Sequence, residues 1–104
     1  MSFDMNKLMQ QAAEMQKQVE EMQAAAEAET AEASVGGGMV KATANGAGRV
    51  LSIEISRDAI DPEDPEALAD LVLAGVNEAL RSASAKVEAK AQQMQSELLG
   101  GLGL

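Results

Sequence analysis

The stretch SVGGGMVKATANGAGRVLSIEIS, Ser34 to Ser56, is the only part of the chain that does not read as helix. It lies between two long segments rich in Met and Ala, and within it the hydrophobic period falls from helical spacing to two. From Met39 to Ser56, Val40, Ala42 and Ala44 fall on one face of a strand, and Leu51, Ile53 and Ile55 on one face of the next. For these two apolar faces to coincide, the loop between them must hold an even number of residues. Asn45-Gly46 as a type I′ turn meets that condition, and so does a four-residue loop from Asn45 to Gly48. A three-residue loop without a bulge would turn Leu51, Ile53 and Ile55 to the wrong side. The opposite face carries Lys41, Thr43, Val50, Ser52 and Glu54, suited either to water or to part of a contact between copies. Just upstream, EAETAEASV alternates small with acidic residues and predicts a further strand from near Glu29, its charges suited to an exposed edge. The expected strands are therefore about 29–35, 39–45 and 49–56. The glycine runs do not make a phosphate loop: GGGMVK and NGAGRV lack the GxxxxGK[ST] pattern, and neither leads from a strand into a helix.

The flanking segments have helical period. Met5, Leu8, Ala12, Met15, Val19, Met22 and Ala26 alternate steps of three and four, a heptad seam with Gln, Glu and Lys on the other faces. This predicts a helix over about 5–28, capped by Asp4 or Ser2 and laid on a sheet or a partner helix. A Met-rich groove for foreign helices is the other reading of the same seam, and only the Met content favours it. The second helix is announced by DPEDPEALADLV, with Asp64 as cap and Pro65 at the first helical position. Its stripe runs Leu68, Val72, Val76, Ala79, Ala83, Val87, Met94 and Leu98 before Gly100-Gly101, giving a helix over about 65–99. At ~1.5 Å per residue the two helices extend ~37 and ~50 Å, against a radius of gyration of ~13 Å for a compact globule of this size. The helices must overhang the sheet, bend or find a partner.

Composition narrows what such a fold can do. The chain has 104 residues, one domain's worth, with Phe3 its only aromatic, so a dense core from one copy is hard to build and a second copy is one remedy. It has no Cys and no His, which removes thiolate sites and the commonest general base and metal ligand. No catalytic set stands out among the Asp, Glu, Lys, Ser and Thr that remain, and a non-enzymatic protein without cofactor, metal or small-molecule substrate is expected. Asp58, Asp61, Glu63 and Asp64 lack the spacing and central Gly of a calcium loop and suit capping and solvation. No apolar run approaches a membrane span and the start of the sequence has no signal-peptide pattern, so a cytoplasmic protein is expected. The net charge of −9, from 8 basic and 17 acidic residues, opposes nucleic acid unless the cations cluster. At 100° per residue Lys90 falls within the second helix's stripe, Lys86 flanks it and Arg81 points the opposite way. A lysine in a fully buried stripe would be costly, which places this part of the stripe in water.

Taken in order, MNKLMQQAAEMQKQVEEMQ, GGGMVKATANGAGRVLSIEIS and DPEDPEALADLVLAGVNEALRSASAKVEAKAQQM resemble the YbaB/EbfC family of bacterial nucleoid-associated proteins. The likeness is collinear over nearly the whole chain, and the glycine-bounded middle block is its most specific part. The resemblance implies an α+β fold in which two long helices flank a three-stranded antiparallel sheet. It implies a homodimer joined through the sheet region, with the helices projecting as the arms of tweezers. It also implies DNA binding that influences nucleoid organisation and gene expression. Two departures are the acidic charge and the lack of a basic, glycine-rich lead-in. Helix geometry then selects Lys86 and Lys90 as the expected DNA contacts, with Lys7, Lys17 and Arg81 behind them. Few cations per arm predict weak, largely sequence-independent and strongly salt-dependent binding. Val40, Ala42, Val50, Leu51, Ile53 and Ile55 are the expected dimer contact. The rival expectation is an acidic protein–protein adaptor whose Met-rich arms grip another protein.

Overall fold

The structure, a computed structural model, describes residues 4–101 and 103; Ser2 and Phe3 lie outside the described residues. The chain runs α1 (Met5–Ala28), β1 (Thr30–Val35), β2 (Val40–Asn45), β3 (Val50–Ile55), a 3₁₀ turn (Arg57–Ala59) and α2 (Pro65–Gly101). The three strands form one antiparallel sheet in the order β1-β2-β3, an α+β arrangement. Asp4 caps α1 by accepting the Lys7 N–H at 3.2 Å, and Asp64 caps α2 by accepting the Ala67 N–H at 3.2 Å. The acidic residues before α2 are likewise occupied in local turns, Asp61 accepting the Glu63 N–H at 3.0 Å. There is no loop between α1 and β1. Glu29 is already extended, and its N–H donates to the carbonyls of Ala25 and Ala26 before Thr30 opens the strand.

Both hairpin turns need glycine, for different reasons. Between β1 and β2, Gly36, Gly37 and Gly38 have φ of 63°, 68° and 92°, a left-handed run that costs an ordinary residue ~1–2 kcal/mol at each position. Between β2 and β3 the Asn45 N–H donates to the Arg49 carbonyl at 2.9 Å, leaving Gly46, Ala47 and Gly48 as the connection. The Gly48 N–H closes the turn on the Asn45 carbonyl at 3.2 Å, with Gly48 at φ 89°. The expected even-numbered loop is therefore corrected to three residues. A β-bulge opposite Thr43 and Ala44 restores the parity, so that Val40 faces Ile55, Ala42 faces Ile53 and Ala44 faces Val50.

The core is a layer of small side chains. Ala31, Ala33, Val40, Ala42 and Ala44 line the inner face of the sheet, and Gly75, Ala79 and Ala83 face them from α2. Val40 is the largest fully buried side chain among the described residues. Such small residues let α2 lie close on the strands: a Cβ added at Gly75 would stand 3.5 Å from both Val35 Cγ2 and Val40 Cγ1. Close approach supplies the dispersion contacts that large rings supply elsewhere. The bulkier members of the expected stripe, Leu68, Val72, Val76 and Val87, are only half-buried, and Met94 and Leu98 are exposed.

α2 covers β1 and β2 and leaves β3 outside, with all six of its residues exposed. This divides the residues expected at the dimer contact. Val40 and Ala42 are completely buried under α2 and belong to the protomer's own core, so they are withdrawn from that contact. Val50, Leu51, Ile53 and Ile55 remain on the surface, 36–48% exposed. No residue of α1 is buried, and its seam from Met5 to Met22 finds no sheet to lie on. The molecule is accordingly long, with a radius of gyration of 20.9 Å and extents of 75 × 32 × 17 Å.

Candidate nucleic-acid interface

The expected DNA contacts have to be found among eight cations. Lys86 and Lys90 are one turn apart on α2, at the level where α1 runs into β1. Lys86 Nζ donates to the Thr30 carbonyl at 2.8 Å, and Lys90 forms an ion pair with the Glu29 carboxylate. Two consecutive residues of the α1–β1 joint therefore receive two consecutive lysines of α2. The Glu29 carboxyl is held below the ordinary glutamate range chiefly by its hydrogen bond with Lys90; burial opposes this, and the charges of Lys90 and Lys86 add to the lowering. The Lys90 side chain is 68% exposed, so its ammonium remains open to water on the side away from Glu29.

The same joint is fastened from the opposite direction by the β2–β3 hairpin. The Gly46 N–H donates to the carbonyls of Ala26 at 3.0 Å and Glu29 at 2.9 Å. Any side chain there would collide with Val87 of α2 and with the Ala26 carbonyl. The turn is itself held by the buried Asn45, whose side-chain oxygen accepts from the Ala47 N–H at 3.1 Å and the Arg49 N–H at 3.0 Å. Beyond the joint, α1 and α2 border a shallow apolar cleft lined by Met22, Ala25, Ala26, Val87, Ala91 and Met94, with Lys90 at its rim.

The other expected contacts are not gathered here. Arg81 is exposed but tied along its own helix to Glu78, Nε to Oε2 at 3.1 Å. That pairing lowers the Glu78 carboxyl and raises the Arg81 guanidinium from their ordinary values, through the hydrogen bond and the paired charges. Lys7 and Lys17 stand exposed on α1, ~15 Å apart along its axis. Two residues of this region escaped the sequence reading. Arg49 stands exposed at the hairpin tip beside Glu27, Asn45 and Ala47, and the only sequence signal was a cation next to a turn glycine. Glu29 had no signal, because its partner Lys90 is on α2, across the whole sheet in sequence.

This arrangement sets two lysine ammoniums side by side where α1 meets β1, groups able to donate to a phosphate oxygen. Among the described residues no helix is long and apolar enough to cross a membrane. Comparison with known proteins agrees with the fold. The YbaB/EbfC DNA-binding family model matches residues 1–98. A nucleoid-associated protein of Thermoanaerobacter pseudethanolicus is 43% identical over 102 residues, covering 98% of this chain and 88% of that protein. Another nucleoid-associated protein, from Ruminiclostridium cellulolyticum, is 44% identical over 100 residues, covering 96% of this chain and 84% of its own. The crystal structure of the Helicobacter pylori protein HP0035 superposes with a TM-score of 0.67 over 90% of this chain and 99% of that one, at 21% identity, a likeness of fold. The chain belongs to the YbaB/EbfC DNA-binding family.

Proposed function

We propose that this protein is a non-enzymatic, nucleoid-associated DNA-binding protein of the cytoplasm, acting as a homodimer whose helical arms meet the DNA backbone. The observation that carries the reading is membership of a DNA-binding family over residues 1–98, supported by close relatives named as nucleoid-associated proteins. Lys86 and Lys90 are the leading contacts, since they stand together at the root of the arms; Lys7 and Lys17, exposed on α1, and Arg81, held by Glu78, are secondary contacts. All are long cationic side chains suited to phosphate oxygens, so binding should be largely indifferent to sequence. The homodimer is supported by the exposed apolar row Val50, Leu51, Ile53 and Ile55 on β3, and by the heptad seam of α1, whose Met5, Leu8, Met15 and Val19 are exposed in the protomer.

A gel-shift titration of a duplex at two salt concentrations tests the DNA reading. The wild type should bind at low salt and weaken steeply as salt rises, since each phosphate contact contributes a slope of about −0.9 in log K against log salt. Lys86→Glu with Lys90→Glu should lose most of that affinity. Unchanged affinity would remove those two lysines from the interface, and no binding by the wild type at low salt would remove DNA.

A further inference from the structure

The Lys90 side chain is largely exposed to solvent, yet it already holds an anion. Glu29 presents the same chemistry as a phosphodiester: a singly charged oxyanion that accepts from an ammonium. Lys86, by contrast, donates to a neutral carbonyl. We propose that Glu29 is an internal competitor for DNA, occupying Lys90 in the free protein so that each chain offers at the joint one lysine paired directly with a carboxylate and one that is not. The proposal rests on the DNA-binding reading above and adds a residue that sets the strength of binding.

The geometry makes Glu29 specific to this role. Its side chain is 18% exposed, far less than the 68% of Lys90, because the extended backbone at the end of α1 fixes it against α2. The carboxylate is therefore the more enclosed member of the pair and the lysine the one more open to a competing anion. A phosphate that takes Lys90 must displace this fixed carboxylate, and the free energy of the ion pair is subtracted from the binding. For an exposed pair that difference is about two- to five-fold in affinity for each chain engaged.

Binding of a 30-base-pair duplex by wild type, Glu29→Gln, Glu20→Gln and Glu29→Gln with Lys90→Gln, each measured by fluorescence anisotropy over a series of salt concentrations, tests the idea. Glu29→Gln should bind about two- to five-fold tighter than wild type, with a salt slope steeper by about 0.9 for each lysine newly engaged. Glu20→Gln removes the same unit of charge from an exposed position of α1 and should stay near wild type. Adding Lys90→Gln should abolish the gain. The proposal is overturned if Glu29→Gln binds as wild type does, if Glu20→Gln matches it, or if the gain survives loss of Lys90. Absence of binding by every protein at low salt would overturn the DNA reading itself. Glu29→Ala gives the same comparison should the glutamine variant lose its helical circular dichroism.

Discussion

Gly46 and Gly75 show how differently two glycines of one chain are used. Gly46 has no positive φ; what it lacks room for is a side chain. A Cβ there would stand 2.2 Å from Val87 Cγ2 and 2.9 Å from the Ala26 oxygen, which also accepts the Gly46 N–H. Valine is stiff at χ1 and the carbonyl is anchored by its hydrogen bond, so neither can step aside. Gly46→Ala should cost ~1–3 kcal/mol, the usual range for overpacking. Gly75 sits inside α2, where a Cβ would make ordinary contacts at 3.5, 3.5 and 3.8 Å. Gly75→Ala should stabilise by ~0.5–1 kcal/mol through helix propensity and lost chain entropy. Urea unfolding of both variants checks the pair, and a Gly46→Ala protein as stable as wild type would contradict the packing at the joint. The sequence marked Gly46 as a turn residue, which it is. Its stricter requirement was illegible, because Val87 approaches it from another element.

At the level of elements, the sequence was most legible where period and punctuation agree. Asp64-Pro65 marks the start of α2, the period of two marks β2 and β3, and the heptad steps mark α1. It was least legible where size decides. The hydrophobic stripe held Ala79 and Ala83 beside Leu68, Val72 and Val76 but passed over Gly75; the sheet buries Gly75, Ala79 and Ala83, whose small volume permits close approach, and leaves the three bulkier residues half-buried. The turn between β2 and β3 was underdetermined for a related reason: parity can be met by loop length or by a bulge, and only the register distinguishes them. The α1–β1 joint adds a testable electrostatic consequence. Glu29 is lowered in the folded chain, so the stability it contributes is present above the ordinary glutamate value and is lost as pH falls through its lowered value. A carbon-detected NMR titration should find Glu29 titrating below the ordinary glutamate value, and Lys90→Gln should move it back up. A Glu29 that titrates with the solvated glutamates would show that the pair does not persist in solution.

The proposed dimer contact and the proposed DNA contact should respond to salt in opposite directions. Each copy carries a net charge of −9, so bringing two copies together through β3 works against repulsion that salt screens over ~8–10 Å. Contact with DNA instead depends on releasing counterions and weakens with salt. Dimerisation should therefore strengthen, and DNA binding weaken, over the same increase in ionic strength. The apolar row on β3 separates the two effects by mutation. Ile53 and Ile55 are 42% and 41% exposed in the protomer and lie beyond the cover of α2, so Ile53→Asp with Ile55→Asp should leave the helical circular dichroism intact. Sedimentation should then report a single chain where the wild type reports two. Halving the number of lysines that act together should also cut the salt slope of DNA binding by about half, since that slope counts phosphates engaged. A double variant that still sediments as a pair would place the contact elsewhere, and the seam of α1, with Leu8, Met15 and Met22 exposed along it, would be the next surface to alter.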